Sequence, residues 1–207
     1  MKINNLIKFL TLSYILLVSG WGFVGPVFAI FITKQIEGGT LELVGFATAA
    51  SLLVRAIFQM PFARFVDSKK GEIDDFVVMA IGSLILSLAP FLHIWASKPI
   101  HLLLLQGMMG FGWAMTLPGW QAIFTRHIDH QREAEEWSIC NTMVGFFAAL
   151  AGALGAFLAD SIGFDLLFII VGIVTSAGCV FLYFVYQDLR IAEAKRQARE
   201  LSKLTAR

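Results

Sequence analysis

Five long runs of this sequence carry no Asp, Glu, Lys or Arg, and they decide the solvent in which the chain can fold. They cover residues 9–33, 76–97, 99–125, 137–159 and 166–187, and a sixth run, 43–63, is interrupted only by Arg55. Each run is near or above the roughly 20 apolar residues that a helix needs to cross hydrocarbon. Because the mean hydropathy is also +0.74, we predict an integral membrane protein of a plasma or inner membrane.

Helix is the only secondary structure that we expect for these runs. An open sheet edge in lipid would leave backbone N–H and C=O groups unpaired, and the sequence lacks the short alternating strands of a membrane barrel. We therefore predict an all-α fold with six transmembrane helices, at residues 9–33, 43–66, 76–97, 99–125, 137–159 and 164–187. The first run is too long for the apolar core of a signal peptide, so it is taken as helix 1.

The distribution of Lys and Arg among the loops predicts the orientation of the helices. Alternate loops place two basic residues, Lys34 and Lys98, on one side of the membrane. The other side collects Lys2, Lys8, Arg64, Lys69, Lys70, Arg126, Arg132, Arg190, Lys195, Arg196, Arg199, Lys203 and Arg207. The basic side is expected to be the cytoplasm, which places both chain termini there.

Residues 188–207 form a polar and basic tail in which apolar residues recur at helical spacing. These residues are Ile191, Ala194, Ala198 and Leu201. We predict an amphipathic helix on the anionic cytoplasmic leaflet, and a plain solvated tail is the alternative. Cys140 and Cys179 fall inside predicted helices, where free and inert thiols are expected. We expect no cofactor, no bound metal and no nucleic-acid partner.

Small residues concentrate in helices 1 and 5. Helix 1 contains Gly20, Gly22, Gly25 and Pro26, which predict either a kink that can move or a simple packing groove. Helix 5 carries Ala and Gly at four-residue spacing through residues 148–156, a pattern that lets helices pack backbone to backbone in lipid.

The loop between helices 2 and 3 carries the most specific motif of the chain. Residues 61–72 read PFARFVDSKKGE and resemble the Gly-x-Leu-Ala-Asp-Arg-x-Gly-Arg-Lys signature of the major facilitator superfamily. Asp67 and Lys69 match the signature, and Gly71 comes one position late. In that family the aspartate helps latch the cytoplasmic side in one conformation, so the resemblance implies a latch of Asp67, Lys69 and Gly71 with Arg126 and Arg132.

Two further segments bear on this resemblance. Gln106 and Gly107 of helix 4 are similar to the family's Arg-x-x-Gln-Gly motif, with Leu103 at the arginine position. The glycine-rich run of helix 5 lacks the proline found there in drug–proton antiporters, which argues against a multidrug antiporter.

The resemblance implies a fold of two three-helix repeats, helices 1–3 and helices 4–6. Family members usually have about twelve helices in two such six-helix halves, so this chain looks like one half. A single half would leave one wall of a substrate cavity uncovered. We therefore predict a parallel homodimer with a twofold axis, with a heteromer as the second choice. The third possibility is that the chain is the amino half of a longer transporter.

Arg55 is the residue that most requires a function. An arginine at mid-helix costs about 2.5 to 3.5 kcal/mol on insertion scales. Twelve residues, or about 18 Å of helix, separate it from Asp67, which places it near the bilayer midplane. We predict that Arg55 binds a substrate anion. The structural alternative is a guanidinium held by tryptophan faces, by Gln59 one turn away and by backbone carbonyls.

The other predicted substrate-binding residues come from helices 1, 2, 4 and 5, and several have a packing alternative. They are Trp21, Trp113, Gln106, Gln59 and Asn141. Helix 4 presents a polar and aromatic face, suited equally to a cavity wall and to packing against helix 1. That face comprises Gln106, Gly110, Trp113, Leu117 and Trp120. For Asn141 an interhelical hydrogen bond is the favoured use, and Trp95 and Trp137 are expected to be interface anchors.

His127 and His130, with Asp129 and Glu133, have a spacing that a metal site could use. A solvated charge cluster that pairs with Asp67 and its neighbours is the favoured interpretation, so no metal ligands are predicted.

No arrangement of side chains in the sequence suggests an enzyme. The leading hypothesis is a secondary transporter that moves a small solute, for which an anion is one possibility, by alternating access as a homodimer in the lipid bilayer. The alternative is a non-transporting membrane scaffold or regulatory subunit that acts through the basic tail and the loop charges.

Overall fold

The structure, a computed structural model, describes residues 5–68, 71–129 and 131–205, with side chains as far as Ala194 and at Ala198. The described chain folds into helices connected by short turns. The elements are α1 Asn5–Gly22, a 3-10 turn Gly25–Val27, α2 Phe28–Gln35, α3 Leu41–Ser68, α4 Glu72–His93, α5 Pro99–His127, α6 Glu133–Ile162 and α7 Phe164–Thr205. Within the described residues, six segments are long and apolar enough to cross a membrane, with α1 and α2 counting as one. The prediction of six transmembrane helices is thereby confirmed.

The helix boundaries differ from the sequence prediction most at α4. The charge-free run predicts a helix over 76–97, whereas α4 begins at Glu72 and ends at His93. Its first turn contains Glu72, Asp74 and Asp75, and carboxylates are favourable there because the amino end of a helix carries partial positive charge. A boundary drawn at the first uncharged residue therefore starts the helix one turn late.

The last helix continues past the membrane-spanning part of the chain. Helix α7 runs without a break from Phe164 to Thr205, so the backbone of residues 188–205 extends the last transmembrane helix. The amphipathic surface helix expected for this segment stays a prediction.

The helices follow one another across one side of the bundle in the order α3, α5, α1, α6. Helix α5 packs against α3 and α4, helix α1 packs against α6 and α7, and α4 packs against α7 behind them. In an apolar 18-residue stretch of α3 and in one of α6, only 11% of the residues are buried, against 39% to 50% in the corresponding stretches of the other spans. We call the side formed by α3, α5, α1 and α6 the open face. We call the end of the bundle with the α3–α4 turn, the α5–α6 loop and both chain termini the basic end.

The first span is interrupted at its cluster of glycine and proline. The N–H of Phe23 donates to the Gly20 carbonyl at 3.3 Å and the N–H of Val24 to the Trp21 carbonyl at 3.1 Å, each three residues back. Helix α6 approaches closest at this point, where Gly155 lies against the backbone of Phe23. The small residues of α6 thus serve helix packing, as their spacing indicates.

Replacing Gly155 with alanine is expected to destabilise the fold by about 1 to 3 kcal/mol, because the added Cβ would overlap the Phe23 carbonyl and force α6 away. The measurement is the midpoint of thermal unfolding in detergent. Gly145→Ala is the matched control on the same helix, since a Cβ there meets nothing within 4 Å. The control should be neutral or stabilising by up to about 1 kcal/mol. Equal losses in the two variants would contradict this packing.

Candidate functional site

The open face contains two recesses along the seam between α3 and α5. The first, which we call the Trp21 recess, has a volume of about 250 Å³ and lies at the end opposite the basic end. Its lining comprises Trp21, Val24, Gly25, Phe28, Thr48, Ser51, Leu52, Gln106 and Met109. Two predicted substrate-binding residues, Trp21 and Gln106, therefore lie together. Gln106 is only 5% exposed, so its amide is held within the wall.

The second recess lies at the basic end, and we call it the Asp67 recess. It has a volume of about 390 Å³ and is lined by Gln59, Ala63, Val66, Asp67, Pro118, Gln121, Ala122, Thr125 and Arg126. It brings together Gln59 from the predicted binding set with Asp67 and Arg126 from the predicted latch. Its walls offer carboxylate, amide, hydroxyl and guanidinium groups, whereas the Trp21 recess is mainly apolar.

Arg55 lies on α3 between the two recesses. Ser51 of the Trp21 recess is one helical turn before it, and Gln59 of the Asp67 recess is one turn after it. The Arg55 Nε–H donates to the Gln59 Oε1 at 3.1 Å, and both side chains are half-buried. Among the described residues no carboxylate pairs with Arg55.

The predicted tryptophans divide between the wall of a recess and the core. Trp21 and Trp113 both pack on the apolar cluster of α1, α4 and α5 that contains Leu17 and Met109. Trp113 lines neither recess. Trp120 is buried, stacks on Tyr14 at 4.4 Å and donates its Nε1–H to the Leu10 carbonyl at 3.4 Å. At Trp120 the aromatic face of α5 therefore packs against α1, which is the alternative that its spacing left open.

Trp21 also contacts a buried histidine behind the recess. The edge of its ring meets His93 of α4 with centroids 5.7 Å apart, and His93 stacks on Phe168 of α7 at 5.2 Å. The His93 Nδ1 is 2.8 Å from the Ala89 carbonyl oxygen. Within the described part of the chain, the Trp21 Nε1 and the His93 Nε2 have no hydrogen-bond partner. Of these two buried nitrogens, only that of Trp21 belongs to a residue that lines the Trp21 recess.

Arg126 forms its ion pair with Asp75, at the start of α4. The Asp75 side chain is fully buried, one oxygen accepts from the Arg126 Nη1–H, and the other has no partner among the described residues. The Nε2 of His127 lies 3.6 Å from a Glu72 oxygen in the same contact between α4 and α5. Among the described residues the partners of this loop region are Asp75 and Glu72 at the start of α4, and no ion pair with Asp67 itself is found there.

The remaining predicted site residues lie apart from the recesses. Arg132 makes hydrogen bonds of 2.8 to 2.9 Å to Glu135 in the first turn of α6, and these bonds raise the pKa of Arg132 above its ordinary value. Gly71 precedes α4 in extended backbone, and Asn141 is exposed on α6. Lys69 and His130 lie outside the described residues, within which no group of three potential metal ligands occurs.

Sequence reasoning did not identify several residues of the two recesses. Thr48, Ser51, Gln121 and Thr125 contribute hydroxyl and amide groups to the walls. A signal was present for Ser51, because it stands four residues before Arg55 just as Gln59 stands four residues after it. Helical spacing places all three on one face of α3. Asp75 carried no comparable signal, since its partner is 51 residues away in the sequence.

Comparisons with known proteins give a family and a fold. The family model described as Major Facilitator Superfamily matches residues 10–206. The structure is similar to the in meso crystal structure of the POT family transporter PepTSo, with a TM-score of 0.71 and 14% sequence identity. That match covers 90% of this chain but only 38% of the transporter, so the chain spans well under half of its length. No curated protein matches the sequence. The family match indicates no enzyme, as the sequence predicts.

Proposed function

Since the chain belongs to the Major Facilitator Superfamily, we propose that it is a secondary transporter whose open face forms one wall of the path for a small solute. The observation that carries the proposal is the position of Arg55 between the Trp21 recess and the Asp67 recess. The two recesses and Arg55 follow one another along the seam of α3 and α5, which is what a path from one side of the membrane to the other requires.

The charge of Arg55 favours an anion as the solute. A guanidinium near the middle of a membrane helix is costly, and functional arginines of this kind usually face a cavity and a charged partner. Gln59 engages only the Nε–H of Arg55, so the two terminal nitrogens remain available for the oxygens of a carboxylate, phosphate or sulfonate. We therefore infer that the solute binds at the midpoint between the two recesses and that Trp21, Gln106 and Gln59 contact it on either side.

A second six-helix unit would complete the path. The outer surfaces of α3 and α6 are rich in exposed apolar side chains, including Phe46, Leu53, Phe146 and Phe157, with Asn141 among them. The packing order also supports two three-helix repeats. Helix α5 contacts α3 and α4 as α1 contacts α6 and α7. We propose that a second copy of the chain covers the open face in the same orientation, with both termini on the cytoplasmic side.

Alternating access in this arrangement would use the charge of Arg55 in the middle of the path and the charges at the basic end. Two copies of Arg55 around one empty cavity would repel each other, so an anion between them favours the closed state by its differential affinity. We propose that Asp67, which lines the same recess as Arg126, acts with Lys69 as the latch that the family resemblance implies. Arg132 and Gly71 lie farther along the same end.

A ligand screen on the purified full chain tests the proposal. Small carboxylates, phosphates and sulfonates are expected to raise the thermal unfolding midpoint, whereas neutral and cationic analogues of equal size should not. At a hundredfold excess over its dissociation constant, a ligand stabilises by about 2.7 kcal/mol, which such a screen detects easily. Native mass spectrometry of the same sample should give the mass of two copies.

Two results would count against the proposal in different ways. If no anion raises the unfolding midpoint but neutral solutes do, the proposal of an anionic substrate is wrong and the proposal of a transporter stands. If the chain is strictly monomeric and forms no cross-links in native membranes, the proposal of a homodimer is wrong. Activity that depends on residues 188–207 with no solute stabilising the fold would favour the scaffold or regulatory subunit.

A further inference from the structure

A recess on the outside of α7 lies away from the open face and is not used by the proposed transport path. It has a volume of about 460 Å³, and we call it the Arg190 recess. Its described lining comprises Tyr183, Tyr186, Gln187, Arg190, Ile191 and Ala194, all of α7. Helix α7 packs against α1 and α4 behind the open face. A second copy placed on the open face would therefore leave the Arg190 recess exposed to lipid.

The Arg190 recess lies where the membrane-spanning part of α7 meets the basic end. The charge-free run of this helix ends at Gln187, and Arg190 is the first basic residue after it, less than one turn further on. Tyrosine rings are enriched at the level of the lipid headgroups, and arginine side chains near helix ends extend to the same level. The combination of Tyr183, Tyr186 and Arg190 therefore places the recess among the headgroups of the leaflet at the basic end.

The guanidinium of Arg190 is oriented by an aromatic ring but is not neutralised. Its Cζ lies 5.8 Å from the centroid of the Tyr186 ring, which packs against Phe76 of α4 with centroids 5.5 Å apart. In the ranges that the structure describes, no carboxylate forms an ion pair with Arg190. A guanidinium held over a ring can still donate two parallel N–H bonds to a phosphate. The exposed Tyr183 hydroxyl and Gln187 amide add donors to the same recess.

We propose that the Arg190 recess binds the headgroup of an anionic phospholipid, of the phosphatidylglycerol type, from the leaflet at the basic end. The phosphate accepts hydrogen bonds from Arg190, and an acyl chain lies along the outer face of α7. On that face Ile169, Ile173 and Val180 are 36%, 60% and 63% exposed, and helical spacing places them in line with the recess.

The charges of the recess select an anionic headgroup. Arg190 is the one charged residue in the described lining, so the ammonium of a zwitterionic headgroup finds no carboxylate there. The lipid also bears on the packing of the bundle, because Tyr186 packs on the apolar cluster that contains Phe76 and Leu189. A phosphate that fixes Arg190 over Tyr186 would therefore stabilise the contact of α7 with α4. This effect requires neither a second copy nor a solute.

Lipid titration of the full chain in detergent, read by native mass spectrometry, tests the proposal. Phosphatidylglycerol is expected to bind roughly fivefold more tightly than phosphatidylcholine with the same acyl chains, as one basic residue at headgroup level would give. Arg190→Gln should abolish this preference. Arg190→Lys keeps the charge but loses the planar fork, so it should retain part of the preference. Arg64→Gln is the matched control, an exposed arginine at the same end of the bundle on α3, and should change nothing.

The basic tail offers a competing explanation, which one further variant separates. Replacing Lys195, Arg196 and Arg199 together with glutamine removes three charges from the tail and keeps Arg190, so the preference should survive. Loss of the preference in this triple variant, or its survival in Arg190→Gln, would overturn the proposal in favour of the tail.

Two other results would also overturn the proposal. Equal binding of the two lipids by the unaltered chain would show that the recess does not select an anionic headgroup. Displacement of phosphatidylglycerol by an equal concentration of inorganic phosphate would identify a site for free phosphate instead of a lipid. None of these measurements depends on transport or on the oligomeric state, so a failure of the proposed transporter leaves them interpretable.

Discussion

Replacing Arg126 with alanine is expected to destabilise the fold by about 3 to 5 kcal/mol, because it leaves a buried carboxylate without its counter-charge. Asp75 is fully buried, Arg126 is its ion-pair partner, and its other oxygen has no partner among the described residues. The nearby Glu72 and Asp74 add negative charge and cannot compensate. The measurement is the loss of folded protein on heating in detergent.

Two variants serve as controls for this experiment. Arg132→Ala removes an exposed arginine that bonds to Glu135, and it should lower the unfolding midpoint much less than Arg126→Ala does, because solvent screens an exposed ion pair. The double variant Arg126→Ala with Asp75→Asn removes both charges and should recover most of the stability lost in the single variant. If Arg126→Ala is no worse than Arg132→Ala, then the ion pair does not hold α4 and α5 together.

The transmembrane helices could be predicted from the sequence because the membrane restricts the structures that an apolar run can form. A run such as residues 99–125 has one structural solution in lipid, because backbone groups can be satisfied there only within a helix. The six spans and the close approach at Gly155 follow from composition and spacing of this kind. The exact start of α4 did not follow, because the same rule treats Glu72 and Asp75 as outside the membrane although they begin the helix.

The candidate site was predictable only where it depends on one helix. Arg55 and Gln59 are separated by one turn of α3, and the structure joins them by a hydrogen bond of 3.1 Å. Contacts between helices could not be read in this way. The stack of Trp120 on Tyr14 and the pair of Arg126 with Asp75 join segments far apart in the sequence, and helical periodicity carries no information on which distant faces meet.

Arg126 and Arg55 differ in what surrounds them. Arg126 pairs with the Asp75 carboxylate of the same bundle, so its charge is neutralised within the protein. Arg55 has only an amide oxygen from its own helix among the described residues, so its charge is not neutralised by the protein. A membrane helix that keeps an uncompensated guanidinium costs insertion free energy and gains no ion pair. The difference favours a structural role for Arg126 beside its predicted part in the latch, and it supports the proposal that Arg55 binds the solute.

Replacing Arg55 with alanine is therefore expected to abolish anion transport and leave the fold intact. A charged hydrogen bond contributes about 1.5 to 3 kcal/mol, so the loss of affinity for the anion should be roughly 10- to 100-fold. The unfolding midpoint should stay the same or rise, because the variant removes a charge from the middle of α3. Uptake of the stabilising anion into proteoliposomes, measured alongside the unfolding midpoint, gives both results on one preparation.

The matched control is Arg64→Ala, which removes an exposed arginine from the same helix near the basic end and should leave uptake unchanged. Gln59→Leu removes the amide that orients Arg55 and that we propose contacts the solute, but it keeps the guanidinium, so it should lower uptake less than Arg55→Ala does. The structural alternative makes the opposite forecast. If Gln59 and the backbone hold Arg55 for stability alone, Arg55→Ala will unfold at a lower temperature and transport the anion at an undiminished rate, because the guanidinium then never touches the solute.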